Sequence, residues 1–295
     1  MSIFLDETTK VIVQGATGAV GVSFSRTISQ CFPGLIVAGV TPGRHGERVA
    51  GAPVYNFVAD ALRQHPDATL SLMCVPARFF REAAIEAIDA GIECLVAYVE
   101  GVPVHDTMVV IAHARRHHAV LLGPNTAGIL SPGKGMAGEL NVATNPTRPG
   151  RLGVVTKSGS IAVDVMELTV DIEGHSTIVC LGGDAVVGTS FSDVLLRFER
   201  DPGTAAVVMV GEVGGNDEDL AADVVRRMSK PVIAYISGHS APPGQTMGHA
   251  GALITSRSET AAWKSLALRD AGALVADTLP GIAALVEDAL RRPAA

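Results

Sequence analysis

One histidine in this chain sits where covalent chemistry is open to it. His249 lies in Met247-Gly248-His249-Ala250-Gly251-Ala252, just after the turn-rich run Ser240–Gln245. Small neighbours on both sides leave the imidazole accessible to large anions, and no second histidine stands nearby at a metal-ligand spacing. The residue therefore reads as a nucleophile that carries a phosphoryl group. The plain alternative is an isolated loop histidine with no chemistry.

Other segments supply what such a histidine needs. Gly211-Glu212-Val213-Gly214-Gly215 puts a carboxylate at the end of an apolar run. Bonded to one ring nitrogen, Glu212 would fix the tautomer and steady a positive ring; otherwise it is an exposed loop acid. In Thr156-Lys157-Ser158-Gly159-Ser160, between a strand and a helix, Ser158, Gly159 and Ser160 would leave backbone donors at the positive end of a helix dipole. Ser158 or Ser160 is equally readable as an ordinary N-cap. The glycine-dense turns Gly182-Gly183-Asp184 and Gly188-Thr189-Ser190 precede another helix, with Asp184 as ligand group or turn residue. Gly123-Pro124-Asn125 follows a strand at the edge where ligands of open sheets collect. Asn125 either meets a ligand there or bonds nearby backbone.

Near the start, Gln14-Gly15-Ala16-Thr17-Gly18-Ala19-Val20-Gly21 joins a strand to a helix with the spacing G-x-x-G-x-x-G. Such a turn lets backbone N–H groups approach a phosphate. A nicotinamide site would favour an acid at the end of the next strand, but the chain there reads Val40-Thr41-Pro42-Gly43-Arg44. Arg44 suits an extra ribose phosphate, as in coenzyme A or NADP, or is a solvated loop cation.

These groups need a scaffold, and the apolar pattern provides one. Val11–Gln14, Leu35–Val40, Leu70–Cys74, Cys94–Tyr98 and Val120–Leu122 read as strands, with helices near Val20–Gln30, Phe57–Gln64, Phe79–Ala90 and Thr107–His117. After the polar stretch Asn145–Gly150 the pattern restarts. Strands follow at Leu152–Thr156, Ser176–Leu181, Ala206–Val210, Val232–Ile236 and Ala273–Val275. The helices between and after them lie near Ile161–Asp171, Ser192–Glu199, Leu220–Met228, Ala261–Ala271 and Ile282–Leu290. The expectation is an α/β protein with two doubly wound domains, residues 1–147 and 148–295.

Composition agrees. Of 295 residues 47% are hydrophobic but only 4% aromatic, with 32 glycines, as in parallel sheets buried on both faces. A formal charge of −7 gives nucleic acid no long-range attraction, and the basic patch Arg115–His118 reads as the polar end of a helix. The N-terminal residues are too polar and acidic for a signal peptide, and no apolar run is long enough to span a bilayer. Cys31, Cys74, Cys94 and Cys180 form no Cys-x-x-Cys pair and read as buried thiols of a cytoplasmic protein rather than disulfides or metal ligands. No metal site is read.

Taken together and in this order, the motifs resemble the α subunit of succinyl-CoA synthetase and relatives such as malate–CoA ligase. The matching landmarks are Gln14–Gly21, Thr41-Pro42-Gly43, Glu100-Gly101-Val102-Pro103, Gly123-Pro124-Asn125, Ser158-Gly159, Gly182-Gly183-Asp184, Gly211–Gly215 and Met247–Ala252. The resemblance implies a Rossmann-like coenzyme A-binding domain followed by a flavodoxin-like ligase domain bearing the phosphorylated histidine. It implies an ATP-grasp β subunit that holds ATP or GTP with Mg²⁺. Thr17, Gly18, Ala19 and Val20 fall on its CoA phosphate turn, Arg44 on a CoA-contacting Lys, and Tyr98, Val99 and Glu100 on a further CoA-contacting segment. His249 falls on the phosphohistidine and Glu212 on its carboxylate partner. Three departures lie near the expected acid site. Val163 stands where the family has Tyr, Thr126-Ala127 replace Cys-Pro, and Glu139–Ala143 replace a Met-Pro-Gly segment.

The function expected is an NTP-dependent acid–CoA ligase α subunit that makes an acyl-CoA from a small (di)carboxylic acid through a phosphohistidine and an acyl phosphate. A non-catalytic CoA-binding homologue with an altered acid pocket is the alternative. An NADP-dependent oxidoreductase would rest on the first glycine turn and Arg44 alone.

Overall fold

A computed structural model describes residues 3–291. The first sheet comprises β1 (Lys10–Gln14), β2 (Ile36–Val40), β3 (Arg48–Val49), β4 (Ala52–Tyr55), β5 (Ala68–Met73), β6 (Cys94–Ala97) and β7 (Val120–Leu122). Helices α1 (Ala19–Cys31), α2 (Val58–Gln64), α3 (Phe80–Asp89) and α4 (Val104–Arg116) connect them. The strand order is β3-β4-β2-β1-β5-β6-β7. Only the β3–β4 edge pair is antiparallel, so the parallel part has the Rossmann order. Alternation explains the unbroken apolar run of β1. Val11 and Val13 enter one core cluster and Ile12 the other, so both faces are covered.

The second sheet comprises β8 (Gly128–Ser131), β9 (Gly135–Gly138), β10 (Pro149–Thr156), β11 (His175–Cys180), β12 (Ala206–Gly211), β13 (Val232–Ile236) and β14 (Leu274–Val275). Its helices are α5 (Gly159–Thr169), α6 (Phe191–Arg200), α7 (Asp217–Val225), α8 (Ala261–Asp270) and α9 (Gly281–Arg291). The order β14-β13-β12-β10-β11-β8-β9 contains the flavodoxin arrangement of five parallel strands, β10 to β14. Local signals are consistent with it: Ser190 and Asp193 form a capping box at α6, whose Phe191, Val194, Leu195 and Phe198 face the core.

The change of sheet falls between Leu122 and Gly128, ahead of the Pro-rich stretch Asn145–Gly150. The β8–β9 hairpin crosses to the second sheet and pairs antiparallel with β11, Ile178 opposite Leu130 and Val179 opposite Ile129. Strands of four residues bounded by glycine carry no readable period, which is why the expected segmentation does not contain them. One apolar cluster accordingly runs from Val11 and Leu70 through Ile129 and Leu130 to Val154 and Val208.

Both sheets reverse their winding beside their first parallel strand, β1/β5 in one and β10/β12 in the other. Crevices for ligands open at the carboxyl ends of such strands. Gly15 and Cys74 stand at the first, Ser158 and Glu212 at the second.

Candidate active site

His249 tips a short loop closed by backbone bonds from Met247 N to Ala252 O (2.9 Å) and from Ala252 N to His249 O (3.1 Å). Two glycines make room for it. A Cβ on Gly183 would stand 2.5 Å from the ring Cδ2 atom, and one on Gly214, at φ +87°, would stand 2.2 Å from Gly251 O. These positions need glycine for close approach of the loop.

The ring's Nδ1 lies 2.7 Å from Glu212 Oε2, with the two side chains 27% and 11% exposed. A carboxylate accepts only, so the proton on this bond is assigned to Nδ1, which leaves Nε2 free. The Glu212 hydrogen bond raises the imidazole pKa above its ordinary value. Partial burial opposes that shift, and the Glu212 charge adds to it.

Glu212 is itself fixed by a buried ion pair. Lys264 Nζ donates to Glu212 O (2.9 Å), Gly214 O (2.5 Å) and Glu218 Oε2 (2.5 Å), while Glu212 N donates to Glu218 Oε1 (3.1 Å). Both Lys264 and Glu218 are fully buried. Lys157 Nζ lies 3.7 Å from Glu218 Oε1 and 4.0 Å from Glu212 Oε1. Burial works to lower the Lys157 pKa, but Glu218, Glu212 and Asp217 together hold it above normal. Burial first, and then the Glu218 charge, push Asp217 up to about 6.

The sequence expectations contain neither Lys264 nor Glu218 as a site residue. A signal for the lysine existed: Ala261, Lys264, Ser265 and Leu268 share the buried stripe of α8, where a lysine needs a partner.

His249 lines a cavity of about 490 Å³ where the carboxyl ends of the two sheets face each other. Tyr98 and Asn125 come from the first sheet's edge; Lys157, Gly159, Ser160 and Val163 come from the second. Glu139, Thr144 and Asn145 close it, so the replaced Glu139–Ala143 segment does border this space. Among the described residues lining it, Lys157 is the one lysine or arginine and Glu139 the one carboxylate.

Ser158 occupies the N-cap position of α5, but no side chain caps that helix. Its Oγ instead lies 3.0 Å from Ser160 Oγ. The ordinary capping hydrogen bond is thus not made, and the helix start is left for an anion. Asn125, at φ +57°, is strung between Val99 O (2.8 Å from its N) and Gly183 N (3.0 Å from its O). Val99 is buried and Glu100 exposed, and the Glu100 charge is among those that raise the His249 pKa. Tyr98 packs edge-on against Phe24 at 4.8 Å. Asp184 Oδ2 is buried without a hydrogen-bond partner among the described residues.

The Gly15–Gly21 turn stands apart from this cavity. Gly15, at φ +76°, passes so close to β5 that a Cβ would sit 2.7 Å from Cys74 O. Thr17 N donates to Thr41 Oγ1 (3.3 Å), and Gly18 begins α1 with no side-chain cap. Gly18, Ala19 and Val20 are exposed. A largely apolar groove of about 500 Å³ adjoins the turn, walled by Thr41, Pro42, Val75 and Phe79. Arg44 lines neither this groove nor the His249 cavity. It is 59% exposed and pairs with Glu47 at 3.0 Å.

The four cysteines are free thiols; burial pushes Cys74, Cys94 and Cys180 up to about 12. Cys31 and Cys74 are only partly covered. Among the described residues, no helix is long and apolar enough to cross a membrane.

Comparison with known proteins agrees with this architecture. Residues 6–101 match the CoA binding domain family and residues 155–274 the CoA-ligase family. The chain is 46% identical over 291 residues to succinate–CoA ligase [ADP-forming] subunit alpha 2 of Archaeoglobus fulgidus, covering 98% of this chain and all of that one. It is 39% identical over 303 residues to the malate–CoA ligase subunit alpha of Methylorubrum extorquens, across the full length of both. Among solved structures, ATP citrate lyase from Methanothrix soehngenii in complex with citrate and coenzyme A superposes with a TM-score of 0.89 at 27% identity. That match covers 98% of this chain and 51% of the lyase chain. The fold and the family matches are those of an acid–thiol ligase subunit. The chain belongs to the succinate–CoA ligase α-subunit family.

Proposed function

We propose that this chain carries the phosphoryl group during synthesis of an acyl-CoA from a small carboxylic acid. A nucleoside triphosphate, ATP or GTP with Mg²⁺ on an ATP-grasp β subunit, transfers its terminal phosphoryl to His249 Nε2 and leaves as the diphosphate. The acid's carboxylate then takes the phosphoryl group, which restores the imidazole and yields an acyl phosphate. Coenzyme A supplies the thiol that accepts the acyl group and sets phosphate free.

The observation that carries this reading is the 2.7 Å bond from His249 Nδ1 to Glu212, which leaves Nε2 as the available nucleophile on a residue lining the cavity. Glu212 orients the ring and balances its charge once Nε2 is phosphorylated. The uncapped start of α5, with Ser158, Gly159 and Ser160, faces the transferring group with backbone donors and its dipole. Asn125 and Val163 line the cavity for phosphate and acid, and Gly183 and Asp184, behind the His249 ring and its loop, complete the phosphate site.

The part of the chain built on the first sheet holds coenzyme A, and the part built on the second transfers the phosphoryl group. Two features of the chain fit coenzyme A: an uncapped α1 behind the exposed turn Thr17–Val20, and the apolar groove beside it. The groove receives the nucleoside, Arg44 meets the ribose phosphate, and Tyr98, Val99 and Glu100 guide the thiol arm along the sheet edge to His249.

Glu139 in the acid cavity, together with Val163, motivates a second reading, a CoA-binding homologue without turnover. The deciding experiment incubates the chain with its ATP-grasp partner, labelled ATP and Mg²⁺. Acid-labile label on the wild type and none on His249→Asn is the expected result. Label that persists in His249→Asn overturns the assignment. Calorimetric CoA binding without any phosphohistidine favours the second reading, and binding of NADPH would reopen an oxidoreductase.

A further inference from the structure

We propose that Asp89, His113 and His117 form a binding site for a divalent transition metal of the zinc class, at the edge of the first sheet opposite the coenzyme groove. His113 lies in the last turn of α4 and His117 is its C-cap residue, one turn further on, with the two rings side by side. Asp89 ends α3 beside them. Nε2 of His113 lies 2.6 Å from Asp89 Oδ1, and Nε2 of His117 lies 4.0 Å from the same oxygen. The two imidazole centroids are 4.4 Å apart, and one ligand atom from each of the three residues lies within 4.8 Å of the other two.

Geometry and chemistry both suit the ion. Zinc binds nitrogen and carboxylate oxygen at about 2.0–2.2 Å in a tetrahedron, which separates neighbouring ligand atoms by about 3.3–3.5 Å. The two measured separations bracket that value. Asp89 and His117 are 53% and 46% exposed, so their side chains can rotate to close the site without moving the helices. Two imidazoles and one carboxylate favour zinc, cobalt or nickel over magnesium or calcium. Asp89 and His117 also border a hollow of about 430 Å³ open to water, which would fill the remaining coordination position. A simple helix-to-helix hydrogen bond accounts for His113 and Asp89. It does not account for His117 presenting its Nε2 to the same oxygen. A bound ion would tie the last turn of α4 to the end of α3.

The test uses the full chain, freed of metal and titrated with Zn²⁺ by calorimetry and with Co²⁺ by its visible absorption. One ion per chain is expected on the wild type and on His249→Asn, with a rise in Tm. The His249→Asn arm separates this site from the His249–Glu212 pair. Affinity should fall about tenfold or more in both Asp89→Asn and His117→Ala, with loss of the Tm shift. No binding by the wild type, unchanged binding in either of those two variants, or loss of the ion in His249→Asn would overturn the proposal.

Discussion

His249 and Glu212 are 37 positions apart in the chain and joined by a 2.7 Å hydrogen bond, with the carboxylate held at the end of a buried strand. The loop brings the ring; the sheet supplies the fixed partner. Replacing Glu212 by Gln keeps the shape but removes the charge and allows the wrong tautomer. Phosphorylation by the partner subunit and ATP should slow about 10²–10⁴-fold, with CoA affinity unchanged. An unaltered rate would remove the role given to Glu212.

The same bond sets a pH dependence. Only the neutral ring attacks phosphorus, and Glu212 raises the imidazole pKa above 6.5. The phosphorylation rate should therefore climb with pH through that raised value. In Glu212→Gln the climb should move to lower pH. An NMR titration of the His249 ring in both proteins checks the direction independently.

Arg44 tests the coenzyme reading. Its exposed pair with Glu47 is weak and easily exchanged for a phosphate. Arg44→Ala should weaken coenzyme A about tenfold, the worth of one charge-assisted bond, and leave dephospho-coenzyme A unaffected. Equal affinities of wild type and variant for coenzyme A would make Arg44 a solvated cation.

Lys264→Met removes the 2.5 Å ammonium partner of buried Glu218 and leaves it only Lys157, at 3.7 Å. Chemical denaturation should show a loss of about 3 kcal/mol, the low end for a broken buried pair. The double variant Lys264→Met/Glu218→Leu should recover much of that stability yet still phosphorylate slowly, because Glu212's backbone loses its anchors. Full activity in a stable double variant would limit the pair to a structural role.

His175 predicts acid sensitivity. It is buried between Thr147 Oγ1 (2.8 Å) and Thr169 Oγ1 (2.9 Å), and burial lowers its pKa to about 4. The unfolded chain takes up the proton near 6.5, so folding stability is complete above that pH and declines as pH falls toward 4. The expected loss is about 3 kcal/mol across this window. Urea unfolding at stepped pH measures it, and His175→Gln should flatten the slope.

The alternation of apolar runs revealed every long strand and helix, because burial on both faces leaves an unbroken signature in β1 and β12. It missed β3, β4, β8 and β9, each of two to four residues and shaped by neighbouring strands more than by its own pattern. Asn125, Ser160 and His249 were legible one by one from turns and small neighbours, Tyr98 through the family resemblance alone, and the fold brings the four to one cavity. The support beneath Glu212 was not legible. Lys264 and Glu218 meet only in three dimensions, 46 positions apart. Arg44 and the Thr17–Val20 turn gave clear local signals, but they stand outside that cavity.

The β8–β9 hairpin also governs how this protein can be taken apart. A fragment starting at residue 148 would strip β11 of the neighbour that covers Ile178 and Val179, and its bare amides would recruit other chains edge to edge. Anyone grafting the histidine-bearing module onto a different scaffold must carry Gly128–Gly138 along as its border strand.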